Sequence, residues 1–176
     1  MSNVSNIIIN YNAISKIAPF LLFNDLSCRL NSLKLLNLIC DMKCYDSENS
    51  FNVIIRNVLI NIFPKAKVEL VIESLDFLLK LIKLSELNLS ILTTEGIIKL
   101  TKMINNSNSE VSTKSMKIII ELLKSNVPNK NAVEAILSSV LQITKSKDEE
   151  NQRNFNYIST FIEIKSYTNE NSVKRK

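Results

Sequence analysis

The sequence predicts an all-α fold in which helical units are stacked in series, and three observations carry that expectation. First, three fourteen-residue blocks recur at near-constant spacing: residues 27–40 (SCRLNSLKLLNLIC), 69–82 (ELVIESLDFLLKLI) and 110–123 (EVSTKSMKIIIELL) begin 42 and 41 residues apart. Second, their shared columns are apolar and step by threes and fours, so they fall on one stripe of a helix. These columns are Cys28/Leu70/Val111, Leu33/Leu75/Met116, Leu35/Phe77/Ile118, Leu36/Leu78/Ile119, Ile39/Leu81/Leu122 and Cys40/Ile82/Leu123. The sixth place is always serine: Ser32, Ser74 and Ser115. Third, one glycine and three prolines in 176 residues leave too few turn formers for a chain of β-hairpins. The composition, 45% hydrophobic and 22% charged, is that of a globular chain.

In chain order, Val4, Ile7, Ile8, Tyr11, Ile14, Ile17 and Ala18 make a helical stripe that ends before Pro19. Phe20 to Phe23 is a short apolar link, after which Asn24 or Asp25 caps the first repeat helix, running to about Lys43. Residues 44–50 form a polar loop that offers Ser47, Asn49 or Ser50 as the next cap. Residues 51–63 (FNVIIRNVLINIF) are apolar on most faces and suit a helix covered on several sides, with a short strand as the alternative for part of the run. Pro64 stops it, and the second repeat helix spans 67–84. A short helix (SELNLSIL), a turn and a medium helix to about Ile104 follow. The loop at 105–109 caps the third repeat helix, 109–125. Further helices are expected at 131–146 and about 149–166, so that 1–166 is one helical repeat domain and 167–176 a polar, mobile tail.

Short helix, turn, medium helix, loop and long helix is the order of an armadillo unit more than of a two-helix HEAT unit, and the period near 40 fits both. The expected architecture is therefore an armadillo-like α-solenoid, a right-handed superhelix of about three repeats of ~41 residues. Gly96, the sole glycine, is expected at the turn between the short and medium helices. Phe63 precedes Ser74 by eleven residues and Ile104 precedes Ser115 by eleven, so the approach to each long helix repeats as well. The three serines read as small residues that let helices approach; modification by phosphate is the alternative, opposed by their place within the apolar stripe. One repeat cannot bury its flanks alone, which assigns helices 4–18 and 149–166 as end caps.

The residue inventory argues against catalysis. There is no histidine, hence no Ser-His or Cys-His pair, and one glycine excludes a phosphate-cradling loop. Neither catalytic nor cofactor-binding residues are expected. Cys28, Cys40 and Cys44 lie together, but without histidine they do not make a closed zinc site, and Cys28 and Cys40 read as core thiols. An odd cysteine count without a basic-then-apolar leader suggests a reducing, intracellular setting. The net charge of +5 is spread thinly: 5 basic against 4 acidic residues in 1–60, 10 against 8 in 61–140, and 7 against 5 thereafter, including terminal Lys174, Arg175 and Lys176. That pattern gives no clustered surface for nucleic acid and no apolar span for a membrane.

What remains is protein binding. The exposed columns of the three long helices are Asn31/Glu73/Lys114, Lys34/Asp76/Lys117, Leu38/Lys80/Glu121 and Asp41/Lys83/Lys124. The candidate partner surface is accordingly Asn31, Lys34, Glu73, Asp76, Lys80, Lys83, Lys114, Lys117, Glu121 and Lys124, whose mixed signs suit a protein partner. Asn37 has no counterpart at Leu79 or Ile120 and there is no tryptophan, so the ladder by which importin-type proteins hold basic peptides is absent.

The run VELVIESLDFLLKLI, followed by a short helix and EGIIKLTKMI, resembles the armadillo-like subunit of RSC- and PBAF-type SWI/SNF chromatin remodellers, which in some organisms is joined to an ARID domain. The resemblance covers residues 25–105 and rests on Glu69, Leu70, Ile72, Ser74, Leu75, Asp76, Phe77 and Leu78; neither the ARID domain nor zinc fingers are present here. It implies a nuclear scaffold subunit that holds other subunits and has no active site. Two other readings fit the same residues: a cytoplasmic armadillo or HEAT adaptor for trafficking, chaperone or cytoskeletal work, and a compact helical bundle with an unrecognised ligand.

Overall fold

A computed structural model describes residues 13–42, 51–63, 65–84, 94–124 and Asn156. Among them are six helices: α1 (Ala13–Ile17), α2 (Leu26–Asp41), α3 (Phe51–Asn61), α4 (Val68–Leu84), α5 (Thr94–Ile104) and α6 (Ser109–Lys124). A 3-10 turn, Ala18–Leu22, joins α1 to α2, and no strand occurs among the described residues. The strand alternative for 51–63 is therefore overturned: the β-branched run folds as α3. The expected helices at SELNLSIL, 131–146 and 149–166, the loop at 44–50 and the tail at 167–176 lie outside the described residues, as does the stripe before Ala13.

The long helices form one row and the shorter elements another. Within the row, α2 packs on α4 and α4 on α6. Behind it, the 3-10 turn packs on α3 and α3 on α5. The two rows close on each other through the turn on α2, α3 on α4, and α5 on α6. One continuous core runs between them, from Ile14 and Leu21 through Leu36, Ile55 and Leu75 to Leu100, Met116 and Leu122. Sequence spacing and spatial packing thus agree: each repeat of about 41 residues adds one long helix to the row.

Local chemistry sets the helix starts. Asp25 caps α2, its carboxylate accepting the Cys28 N–H at 2.6 Å. Asn108 caps α6 by accepting from Val111 N–H at 3.1 Å, and Asn106 steadies the loop by accepting from Asn108 N–H at 2.9 Å. Pro19 sits at the start of the 3-10 turn, where a missing N–H is harmless. Gly96 departs from expectation: it lies buried within the first turn of α5 rather than between helices. Its lack of a Cβ suits close packing at that point.

The repeat serines are buried, Ser74 and Ser115 completely. Ser32 donates to Cys28 O at 2.8 Å and Ser74 to Leu70 O at 2.7 Å, each satisfying itself one turn back on its own helix. The Ser115 hydroxyl has no partner.

Three expected core positions are not core. Leu35 is 45% exposed although its column mates Phe77 and Ile118 are fully buried. Cys28 is half-buried where Leu70 and Val111 are buried. Phe63 is exposed, and its neighbour Ile62 takes the buried place instead. The first two lie on α2, the first of the long helices among the described residues, which packs on a long helix only at α4.

Candidate functional site

The ten candidate surface residues all lie on α2, α4 and α6, on the row of long helices. Most of them are engaged by the protein itself. Lys34 of α2 pairs with Glu69 of α4 at 3.1 Å. One turn further along, Asn37 donates to the Glu73 carboxylate at 3.0 Å and to the Glu73 carbonyl at 3.3 Å. Next, Lys80 of α4 reaches back to Asp41 of α2 at 2.7 Å and to Asn37 O at 3.4 Å. Between α4 and α6, Lys114 pairs with Asp76 and also with Glu110 at 3.3 Å on its own helix. Lys124 and Glu121 close a pair within α6 at 2.7 Å. Asn31, Lys83 and Lys117 complete the surface as exposed side chains.

The same set of residues therefore forms cross-links between neighbouring helices. Asn37, Glu69, Asp41 and Glu110 are its partners, and the sequence reading left them out of the candidate set. A signal existed: the side chains paired across helices stand 35, 36, 38 and 39 residues apart, one period less one or two helical turns, while Lys80 also reaches Asn37 O 43 residues back. Opposite charges at that offset mark neighbouring long helices that run side by side with a small stagger.

The electrostatics follow the geometry. Burial works against the charge on Lys114, but the hydrogen bond and charge of Asp76, then those of Glu110, outweigh it and raise its pKa above the usual 10.5. Cys40 is buried beside this row, and desolvation pushes its thiol up to about 12, against the lowering effect of Lys80 and with a further rise from Asp41. Such a thiol stays protonated and is a poor nucleophile at neutral pH. Among the described residues no group of three or more His, Cys, Asp and Glu could hold a metal ion, and no helix is long and apolar enough to cross a membrane.

A second polar cluster, unanticipated from the sequence, ties the back row together. Asn57 donates to Ala18 O at 3.0 Å, and fully buried Asn61 donates to Leu21 O at 3.2 Å and accepts from Arg29 at 3.1 Å. Two asparagines one turn apart on α3 thus hydrogen-bond two carbonyls of the 3-10 turn.

No protein-family model matches the sequence, and no curated protein matches it. Solved structures do. Two engineered proteins superpose with TM-scores of 0.67 and 0.69 at 11% and 14% identity, over 90% of this chain. A designed armadillo repeat protein in complex with the peptide (KR)4 superposes with a TM-score of 0.52 at 12% identity, over 90% of this chain and 85% of that one. The fold is an armadillo-like α-solenoid. At these identities the likeness shows architecture alone, and the chain spans only 66% and 39% of the two engineered proteins.

Proposed function

We infer that this chain is a non-enzymatic scaffold that binds a protein partner along the row α2–α4–α6. The observation that carries the reading is the row itself: an armadillo-like solenoid whose long helices present a continuous, mixed-charge surface. The designed relative of the same fold binds a peptide, which supports a protein ligand for this architecture. Because Lys34, Glu73, Asp76, Lys80 and Lys114 are already engaged between helices, a partner meets a pre-ordered lattice rather than loose side chains. Pre-ordering lowers the entropy lost on binding. Asn31, Lys83 and Lys117 are exposed on the same row and extend that surface.

At a finer level, the proposed assembly is a chromatin remodeller of the RSC/PBAF type in the nucleus. Its support is the resemblance over residues 25–105, with the terminal Lys174-Arg175-Lys176 compatible with nuclear import. A tagged pull-down with mass spectrometry tests both levels. A Snf2-type ATPase recovered in stoichiometric amount supports the remodeller; coat, chaperone or tubulin partners replace it with the cytoplasmic adaptor. In either case a Lys83→Glu, Lys117→Glu double variant should bind its partner about tenfold more weakly while staying helical by circular dichroism. Undiminished recovery would remove the row from the binding site.

A further inference from the structure

The row of long helices is charged, whereas one rim of the solenoid is not. At that rim the 3-10 turn exposes Phe20, Leu22 and Phe23, and the corner between α3 and α4 exposes Ile60, Phe63 and Val68. The rings of Phe20 and Phe23 lie 5.5 Å apart. The two groups flank a shared contact: the 3-10 turn packs on α3, and buried Asn61 donates to Leu21 O. Six large apolar side chains at 43–54% exposure on two packed elements are the kind of apolar exposure that marks an interaction surface. The equivalent corner before α6 is built differently, from Asn105, Asn106, Ser107 and Asn108, whose asparagines are spent on the loop and cap. The apolar rim is therefore a property of two corners and not of the solenoid as such.

Charge around the patch is mostly of one sign. Arg56, Lys65 and Lys67 are exposed on α3 and in the α3–α4 corner. The nearby acids are Asp25, which caps α2, and Glu69, which is paired with Lys34.

We propose that this rim docks an acidic amphipathic segment of a partner protein, its apolar side chains seated on Phe20, Phe23 and Phe63 and its carboxylates facing Lys65 and Lys67. The proposal rests on the scaffold reading and gives it a second contact surface. An apolar peptide face alone would suit the aromatic patch; the basic border selects acidic over basic amphipathic sequences.

The test uses the full chain and a fluorescein-labelled amphipathic peptide of about five helical turns, with Leu and Phe on one face and Glu on the other. A Lys-for-Glu version and phosphatidylcholine–phosphatidylserine vesicles serve as competitors. The expected result is saturable binding of the Glu peptide, at least tenfold tighter than the Lys peptide and weakened by salt. A Phe23→Ser, Phe63→Ser variant should abolish it, and Lys65→Glu, Lys67→Glu should weaken it about tenfold and reverse the peptide preference. The second variant changes only exposed charge, so it tests the surface even if the first folds poorly. Equal binding of both peptides, or vesicle binding without a peptide preference, overturns the proposal. Failure here is separable from failure of the scaffold reading: partners recovered from cells and retained by both rim variants sink the rim alone, whereas a chain that recovers no protein sinks both.

Discussion

Helices α2 and α6 carry the same column pattern, yet the same columns have different fates in the two. On α6, Val111, Ile118 and Leu122 are all buried, and Lys114 ties the helix back to Asp76 of α4. On α2, Ile39 is buried, but Cys28 is only half-covered and Leu35 is nearly half exposed. The columns from which Glu69, Glu73 and Lys80 of α4 bridge back to Lys34, Asn37 and Asp41 hold Ser27, Asn31 and Leu38 on α2. In a repeat protein, then, burial belongs to the junction between units as much as to the residue. A residue's stability contribution should follow its neighbour, not its column.

Column nine provides the strongest contrast. Phe77→Ala removes a fully buried ring on α4 and should cost about 3–5 kcal/mol. Leu35→Ala, the same column one unit earlier, should cost about 1 kcal/mol or less, because its outer half already faces water. Urea unfolding followed by circular dichroism measures both. Equal losses would show that α2 is covered in solution and would break the comparison.

Asn61 comes next in size. Asn61→Leu keeps the volume but leaves Leu21 O and the Arg29 guanidinium without their partner inside the fold. An expected loss of about 1–3 kcal/mol follows, larger than any single surface pair of the long-helix row. Asn57→Ala, which uncovers only Ala18 O in a part-buried place, should cost less than Asn61→Leu in the same urea titration.

These cases also show how much could be seen in the sequence. The three serine-centred blocks gave α2, α4 and α6 with boundaries good to one or two residues, because apolar periodicity at 3.6 is a local property of the chain. Asp25 and the Asn-rich loop before α6 were legible as caps for the same reason. Leu35 was misjudged because its burial depends on a neighbour that the column cannot reveal. Asn57 and Asn61 were hidden inside an almost wholly apolar run, where their partners are carbonyls of the 3-10 turn some 39 and 40 residues away. The candidate surface residues all lie on α2, α4 and α6, and their internal pairing depends on stagger. The pairs follow an offset slightly shorter than the repeat, which composition by column does not display.

The smallest expected effect, and the one that tests both ends of the row together, is alkaline pH. Cys40 on α2 occupies the column filled by Ile82 on α4 and Leu123 on α6, so here one unit carries a titratable group where the others carry hydrocarbon. Its folded pKa of about 12 lies above the ordinary 9.0, so the unfolded chain ionises first and stability falls as pH rises from 9 towards 12. Lys114 on α6 is also raised, above 10.5: its paired, charged form stabilises the fold fully below 10.5, and that contribution is lost as pH climbs through the folded value. Cys40→Val should therefore flatten the earlier part of the alkaline decline while leaving neutral stability nearly unchanged. Lys114→Gln should cost about 1 kcal/mol or less at neutral pH and flatten the later part. If both variants follow the parent's curve throughout, neither thiol burial at α2 nor the Asp76 pairing at α6 governs the alkaline limit. If each removes its own segment, the two helices are held by different forces, apolar exclusion at one and charge pairing at the other.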